Sequence, residues 1–353
     1  MTPMIPTPDT IPTSWGYFQF FLLLTFPIHL FFMNSLLGAS AVAIYSHFKG
    51  TDESKALAYE LAKVIPLLIA LAVNFGVAPL LFVQVLYGHL FYSSTILMGV
   101  FWIFIIPMLL IAYYAAYWYD FKFHPLGRAG ILVLSFAFLL FLLIGFLFSN
   151  NMTLMLHPES WSAYLEHSGG TLLNTADPTL WPRYLHFMIG GSAVGGIFVA
   201  IYGRFLTAKG QTIGRYATAV GMKLFLWLTL VQVAVGTWFL LTLPKELMLL
   251  FMGQNSLATL TFIGALLLIV VVLISAFRKM VMVSSAMTAV LIFCMVFMRD
   301  FVRGGYLRET FSPDMLEVVA EYSPMVFFLA TLLIGLMLIF WMVRAAFTHS
   351  LEE

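Results

Sequence analysis

The sequence predicts an all-α, polytopic membrane protein of about nine transmembrane helices, and three observations carry that expectation. Of 353 residues, 62% are hydrophobic and only 9% are charged, against roughly 25% charged in an ordinary soluble domain. Apolar stretches long enough to cross a bilayer core, about 20 residues each, recur along the whole chain. The few charges mark the ends of those stretches and nearly cancel, with 17 Lys and Arg against 16 Asp and Glu. This composition excludes a soluble enzyme, and the balanced charge offers no basic face for nucleic acid.

Taken in order, the chain opens with a Pro-rich run, MTPMIPTPDTIPTS, within residues 1–16, which reads as a short extended arm. The first span, Tyr17–Tyr45, is too long for a signal peptide and lacks a basic n-region and a small-residue cleavage site, so it is expected to be retained. The remaining spans are Val64–Tyr87, Ser94–Trp118, Ala129–Phe148, Arg183–Tyr202, Tyr216–Leu241, Leu257–Phe277, Met280–Met298 and Pro324–Val343. With no internal repeat or linker, residues 17–345 read as a single membrane domain, followed by a tail at 346–353. An N-out orientation gathers twelve Lys and Arg on the inner side and leaves five outside: Arg183, Lys245, Arg299, Arg303 and Arg308. The positive-inside rule therefore places the N-terminus outside and the C-terminus inside. Two outer loops, 149–182 and 299–323, are long enough to cover the membrane surface and receive a partner.

The single cysteine, Cys294, excludes an internal disulfide and a thiolate cluster, so any redox chemistry needs another cofactor. Among eight histidines, His47, His124, His157, His167 and His349 fall at helix ends or in loops, where a solvated role suffices. His29, His89 and His186 fall in or beside apolar segments, where an imidazole is costly without a partner. In the N-out orientation all three belong to the outer half. Imidazole is a good iron ligand and a helical bundle can bury a flat apolar macrocycle, so these residues read as axial ligands of b-type haem. The absence of a Cys-x-x-Cys-His motif excludes covalently attached haem. Gly190, Gly191, Gly195 and Gly196 follow His186 and suit close approach of a macrocycle or of another helix. Met252 is expected at a depth to face His186, and Met33 shares a helical face with His29. Arg299 and Arg303, one turn apart, and Arg183 suit haem propionates, since Arg binds carboxylates bidentately.

These residues resemble subunit I of the cytochrome bd quinol oxidase family. Tyr17-Phe-Gln-Phe-Phe-Leu-Leu-Leu-Thr-Phe-Pro-Ile-His29 looks like that family's first helix, and Trp181-Pro-Arg-Tyr-Leu-His186-Phe-Met-Ile-Gly-Gly like its fifth. Asn74-Phe-Gly-Val, Ser149-Asn-Asn-Met-Thr-Leu-Met and Arg299-Asp-Phe-Val-Arg-Gly-Gly-Tyr also match in order and spacing. The resemblance implies that His29 ligates an active-site haem and His186 a low-spin haem b, in a bacterial inner membrane with the haems toward the periplasm. It also implies a heteromer with a second membrane subunit. The family's helix-two glutamate, however, is matched here by Phe82, and its helix-eight glutamate by Phe293. The family's long quinol-binding loop shortens to Pro244-Lys-Glu-Leu-Met-Leu-Leu-Phe-Met-Gly, where Lys245 and Glu246 remain to meet a quinol headgroup. His89 is additional to the pattern and stands as a replacement ligand.

Losing carboxylates while gaining a histidine favours closed electron-transfer haems over oxygen reduction. The expectation is a membrane haem b subunit of a respiratory complex, with two or more non-covalent haems and a quinone as a further ligand. Its electrons would pass between the quinone pool and a periplasmic partner, a cytochrome c. The alternatives are an oxygen-reducing quinol oxidase and, outside redox chemistry, a transporter or haem-free scaffold. Against transport, the sequence holds no inverted repeat and no central charge.

Overall fold

The computed structural model describes residues 5–166 and 168–349, the last four of these by backbone alone. His167, the His349 side chain, and residues 1–4 and 350–353 of the expected arm and tail lie outside what is described. The described residues form α1 (Trp15–Lys49), α2 (Asp52–Leu97), α3 (Gly99–Phe121), α4 (Phe123–Leu126), α5 (Ala129–Leu156), α6 (Leu180–Ala208), α7 (Ile213–Thr242), α8 (Lys245–Leu249), α9 (Ser256–Phe277), α10 (Val281–Leu307) and α11 (Ser323–His349). Nine of these described helices, all but α4 and α8, are long and apolar enough to cross a membrane. The chain is an all-α polytopic bundle, and the described residues contain no strand beyond an isolated parallel bridge between Ile11 and Val318.

Helix boundaries follow local chemistry as well as hydropathy. The expected span Val64–Tyr87 is part of a 46-residue helix, α2. The Thr51 side chain accepts the Ser54 amide at its start, and Asp52 and Glu53 follow in the first turn. At 1.5 Å per residue such a helix is about 69 Å long, more than twice a bilayer core of about 30 Å. Its ends therefore project beyond the apolar stretch that hydropathy detects. The helix is also broken at Tyr87, which has φ −132° and ψ 27°. At the other end of the preceding connection, α1 stops at Gly50, whose φ of 75° and N–H bond to the Ser46 carbonyl form a left-handed cap.

The centre of the bundle is α1 against α2 and α6, and α6 against α7. Small residues let the backbones meet: Gly38 of α1 lies against Gly195 of α6, and Gly196 lies against Gly221 and Phe225 of α7. This corrects part of the reading of the glycine strip. Gly195 and Gly196 are occupied by helix packing, the ordinary use of small residues between membrane helices, and only Gly190 and Gly191 of the strip line a cavity, against the side chains of Gln232 and Asn34.

The N-terminal arm is not free. Ile11 is 3% exposed, donates to the Glu317 carbonyl and accepts from Val319, so residues after α10 strap the arm across the bundle end. In contrast, no residue of Ser323–Ala345 in α11 is buried. A Gly195→Val substitution should force α1 and α6 apart and cost about 1–3 kcal/mol or more. Gly264→Ala, on α9 where no atom lies near and the backbone is helical, serves as the packing control. Thermal unfolding in detergent measures the difference.

Candidate functional site

At the bundle end carrying Arg183, Arg299 and Arg303, called here the arginine end, α1, α6, α7, α9 and α10 enclose a cavity of about 310 Å³. Its walls are apolar, with Phe26, Leu30, Phe187, Phe251, Ile292 and Val296 among them, and its polar lining comes from His186, Gln232, Asn34, Thr229, Thr237, Thr288 and the three arginines. The close approach of α1, α6 and α7 at their glycines holds two walls in register, while α9 and α10 close the opposite side.

The arginines are the most costly feature. Arg183 and Arg303 are 7% and 3% exposed. Arg303 pairs with Asp300, which also accepts from Gln19 Nε2 at 2.7 Å, and its guanidinium lies 4.7 Å above the Tyr87 ring. Arg299 lies 4.7 Å above Phe26 and donates to Met152 Sδ at 3.4 Å. Arg183 lies 5.3 Å above Phe239 and donates to Thr179 Oγ1 at 3.4 Å. Asp300 is thus the one carboxylate ion-paired to this set among the described residues. Arg183 Nε, Arg303 Nε and Nη1, Gln232 Oε1 and Thr288 Oγ1 are buried with no hydrogen-bond partner in the protein, and all belong to cavity-lining residues. Buried donors and charges without partners cost several kcal/mol, so the arginine end of the cavity carries hydrogen-bonding capacity that the protein itself does not meet.

His186 is seated one turn below Arg183. The Gln232 amide nitrogen donates to His186 Nδ1 at 2.8 Å and to the His186 carbonyl at 2.8 Å. A neutral ring accepting at Nδ1 carries its proton on Nε2. A metal bound through Nε2 requires the other tautomer, with Gln232 turned so that its orphaned Oε1 accepts from Nδ1–H. Gly236 makes room for the ring, since a Cβ there would lie 3.2 Å from it.

The other expected site residues lie elsewhere. His29 faces the α1–α2 seam, donating from Nδ1 to the Ala72 carbonyl at 2.9 Å, with Gly76 packed beside the ring. Its neighbours Phe26 and Leu30 line the cavity, but His29 does not. His89 is 8% exposed beyond the Tyr87 break and meets the Phe311 ring edge-on at 4.4 Å, also away from the cavity. The three histidines therefore occupy three separate seams.

Met252 is corrected in placement. It is 50% exposed and outside the cavity, because the π-turn Leu250–Gln254, with Gly253 at φ 112°, turns Phe251 inward instead. Met295 and Met298 of α10 and Met152 and Met155 of α5 line the cavity in its stead. Lys245 and Glu246 are exposed at the start of α8. Gln232 and Asn34, which the histidine-centred reading passed over, carried a usable signal: both are polar side chains inside apolar spans.

Two histidines assigned to solvent also prove to be held. His47 is buried and bonds Tyr119 through Nδ1 at 3.1 Å. His157, at the end of α5, contacts Glu159 at 2.7 Å and Asp177 at 3.2 Å. Burial works against its charge, yet the two carboxylates outweigh that and hold its pKa above the ordinary value. Compared with protein-family models and with curated proteins, the chain matches none.

Removing a lone buried charge should stabilise the ligand-free protein, whereas removing one member of a pair should not. Arg183→Met is expected to raise unfolding free energy by on the order of 1 kcal/mol, and Arg303→Met to lower it by about 3–5 kcal/mol by stranding Asp300. Chemical denaturation of the two variants in detergent checks the opposite signs. A raised His157 pKa means that its contribution is complete below the unfolded value of about 6.5 and is lost as pH rises through the folded value. The wild-type thermal midpoint should accordingly fall on the alkaline side, and His157→Gln should flatten that limb.

Proposed function

We propose that the chain is a membrane haem b subunit of a respiratory complex, moving electrons between the quinone pool and a periplasmic redox partner such as a cytochrome c. The observation that carries this reading is the cavity itself, whose apolar lining includes a histidine one turn from Arg183, with buried, unpartnered N–H groups on Arg183 and Arg303. These residues fit a b-type haem: His186 as axial ligand, Arg183, Arg299 and Arg303 for the propionates, Gly190 and Gly191 beside the macrocycle, and Met295 or Met298 within the same lining. Bound haem would supply one-electron transfer. The protein's part is to exclude water with aromatic and aliphatic walls, to orient the His186 ring through Gln232, and to offset the desolvation of carboxylates with guanidinium partners. The resemblance to subunit I of cytochrome bd oxidases supports the same assignment, with His29 and His89 as ligands for further haem and the arginine end toward the periplasm. Lys245 and Glu246, exposed near that end, suit a quinone headgroup.

A second reading, an oxygen-reducing quinol oxidase, is favoured by one observation. His29 engages Nδ1 with a backbone carbonyl and leaves Nε2 for a ligand, while glycine rather than a second donor stands beside the ring. A reduced-minus-oxidised spectrum, a pyridine haemochrome assay and a carbon monoxide difference spectrum on purified protein test both readings. Two or more haem b per chain without a carbon monoxide shift is the expected result. A carbon monoxide shift lost in His29→Ala selects the oxidase, and a colourless, folded, haem-replete preparation excludes both. His186→Ala should remove one haem while the bundle remains inserted, and full haem retention would overturn its role.

A further inference from the structure

Titratable side chains reach from water to a cavity residue at the arginine end. Glu159 has a side chain 72% exposed, and its carboxylate lies 2.7 Å from His157 Nδ1. The His157 side chain is 22% exposed, and its Nε2 lies 3.2 Å from Asp177 Oδ2, on a side chain 4% exposed. Asp177 Oδ1 accepts from the Thr179 amide and hydroxyl, each at 2.7 Å. Thr179 in turn accepts from Arg183, which lines the cavity one turn above His186. Tyr306, one turn past Arg303 on α10, places its ring 4.9 Å from the His157 ring, and its hydroxyl is buried without a partner. Exposure therefore falls stepwise from Glu159 to Asp177.

We propose that the Glu159–His157–Asp177 triad is the proton-exchange site of the cavity, taking up a proton when the group held beside Arg183 gains an electron and releasing it on oxidation. The inference rests on the haem reading. With haem bound, one electron supplied by a quinol would be accompanied by one proton from water, entering at Glu159 and held as an N–H bond on His157; passing the electron to the redox partner would release that proton.

The chemistry of the neighbours selects His157. Arg183 does not deprotonate, and a tyrosine hydroxyl such as that of Tyr306 titrates near 10 in the ordinary case. Burial disfavours the Asp177 carboxylate, but His157 and Thr179 outweigh it and keep that group ionised well below neutral pH. The groups facing the imidazole are thus Glu159 and Asp177, which favour its charge, with Arg183 beyond Thr179 and the Tyr306 ring against its edge. His157 is left as the member that changes charge above its ordinary value, and Arg183 places that change beside the cavity.

Potentiometric titration of the haem-loaded protein between about pH 6 and about pH 9, bracketing the histidine range, tests this. The wild-type midpoint potential should fall as pH rises through the His157 titration. His157→Gln should be flat at the wild-type alkaline value and His157→Lys flat at the acid value, both with wild-type haem content. Glu159→Gln, altering an exposed side chain, should shift the sloping window to lower pH. A flat wild-type titration, an unaltered slope in haem-loaded His157→Gln, or an unmoved window in Glu159→Gln overturns the proton site alone. Absence of haem from the wild type overturns the haem reading and this inference together.

Discussion

Guanidinium groups held out of water, with fewer carboxylates than charges, set the terms for the arginine end of the bundle. A surface arginine needs no partner, but Arg183 and Arg303 sit almost entirely inside the protein, and three of their nitrogen donors meet nothing. Cation–π contacts with Phe239 and Tyr87 offset part of the desolvation and leave the hydrogen-bond deficit in place. A fold that tolerates such a deficit without a ligand gives up stability, and a fold that fills it gains an anchor for an anion. The surrounding elements follow from this constraint: Asp300, which also accepts from Gln19, holds Arg303, Met152 holds Arg299, and Thr179 at the start of α6 holds Arg183.

The backbone contacts at the glycines are the second requirement. Where α1, α6 and α7 touch backbone to backbone, no side chain can enter between them, so the space left by the bundle opens on the other side of α6 and α7, toward α9 and α10. Helix packing and cavity formation are thus one arrangement. Gly195 and Gly196 draw the helices together, and Gly190 and Gly191, one turn nearer the arginine end, border the cavity that results.

Hydropathy made the nine spans legible because a bilayer imposes length and apolarity on every crossing segment among the described helices. It could not reveal that α2 extends well past its apolar stretch, which depends on capping, or that it breaks at Tyr87, which no change of polarity marks. At the site, His186 and the arginines were legible as polar groups in the wrong solvent. Met252 was misplaced because depth along a helix says nothing about azimuth, and the π-turn before α9 rotates Phe251 into the position a regular helix would have given differently. His47 and His157 were assigned to water because they lie near helix ends, yet each finds a specific partner across the bundle or along the loop.

The hydrogen bond between Gln232 and His186 sharpens what occupancy of the cavity entails. In the arrangement described, one amide nitrogen serves both the ring and the backbone carbonyl of His186, which fixes the proton on Nε2 and strands the amide oxygen. Ligation through Nε2 would move the ring proton to Nδ1 and require the amide to turn, so that its oxygen accepts from the ring while its nitrogen gives up both present acceptors, the ring and the carbonyl. The guanidinium nitrogens of Arg183 and Arg303 are a separate deficit, which only an acceptor on the ligand would meet. A ligand that carries hydrogen-bond acceptors would meet those nitrogens, whereas an apolar lipid tail would fill the volume and leave them unpaired.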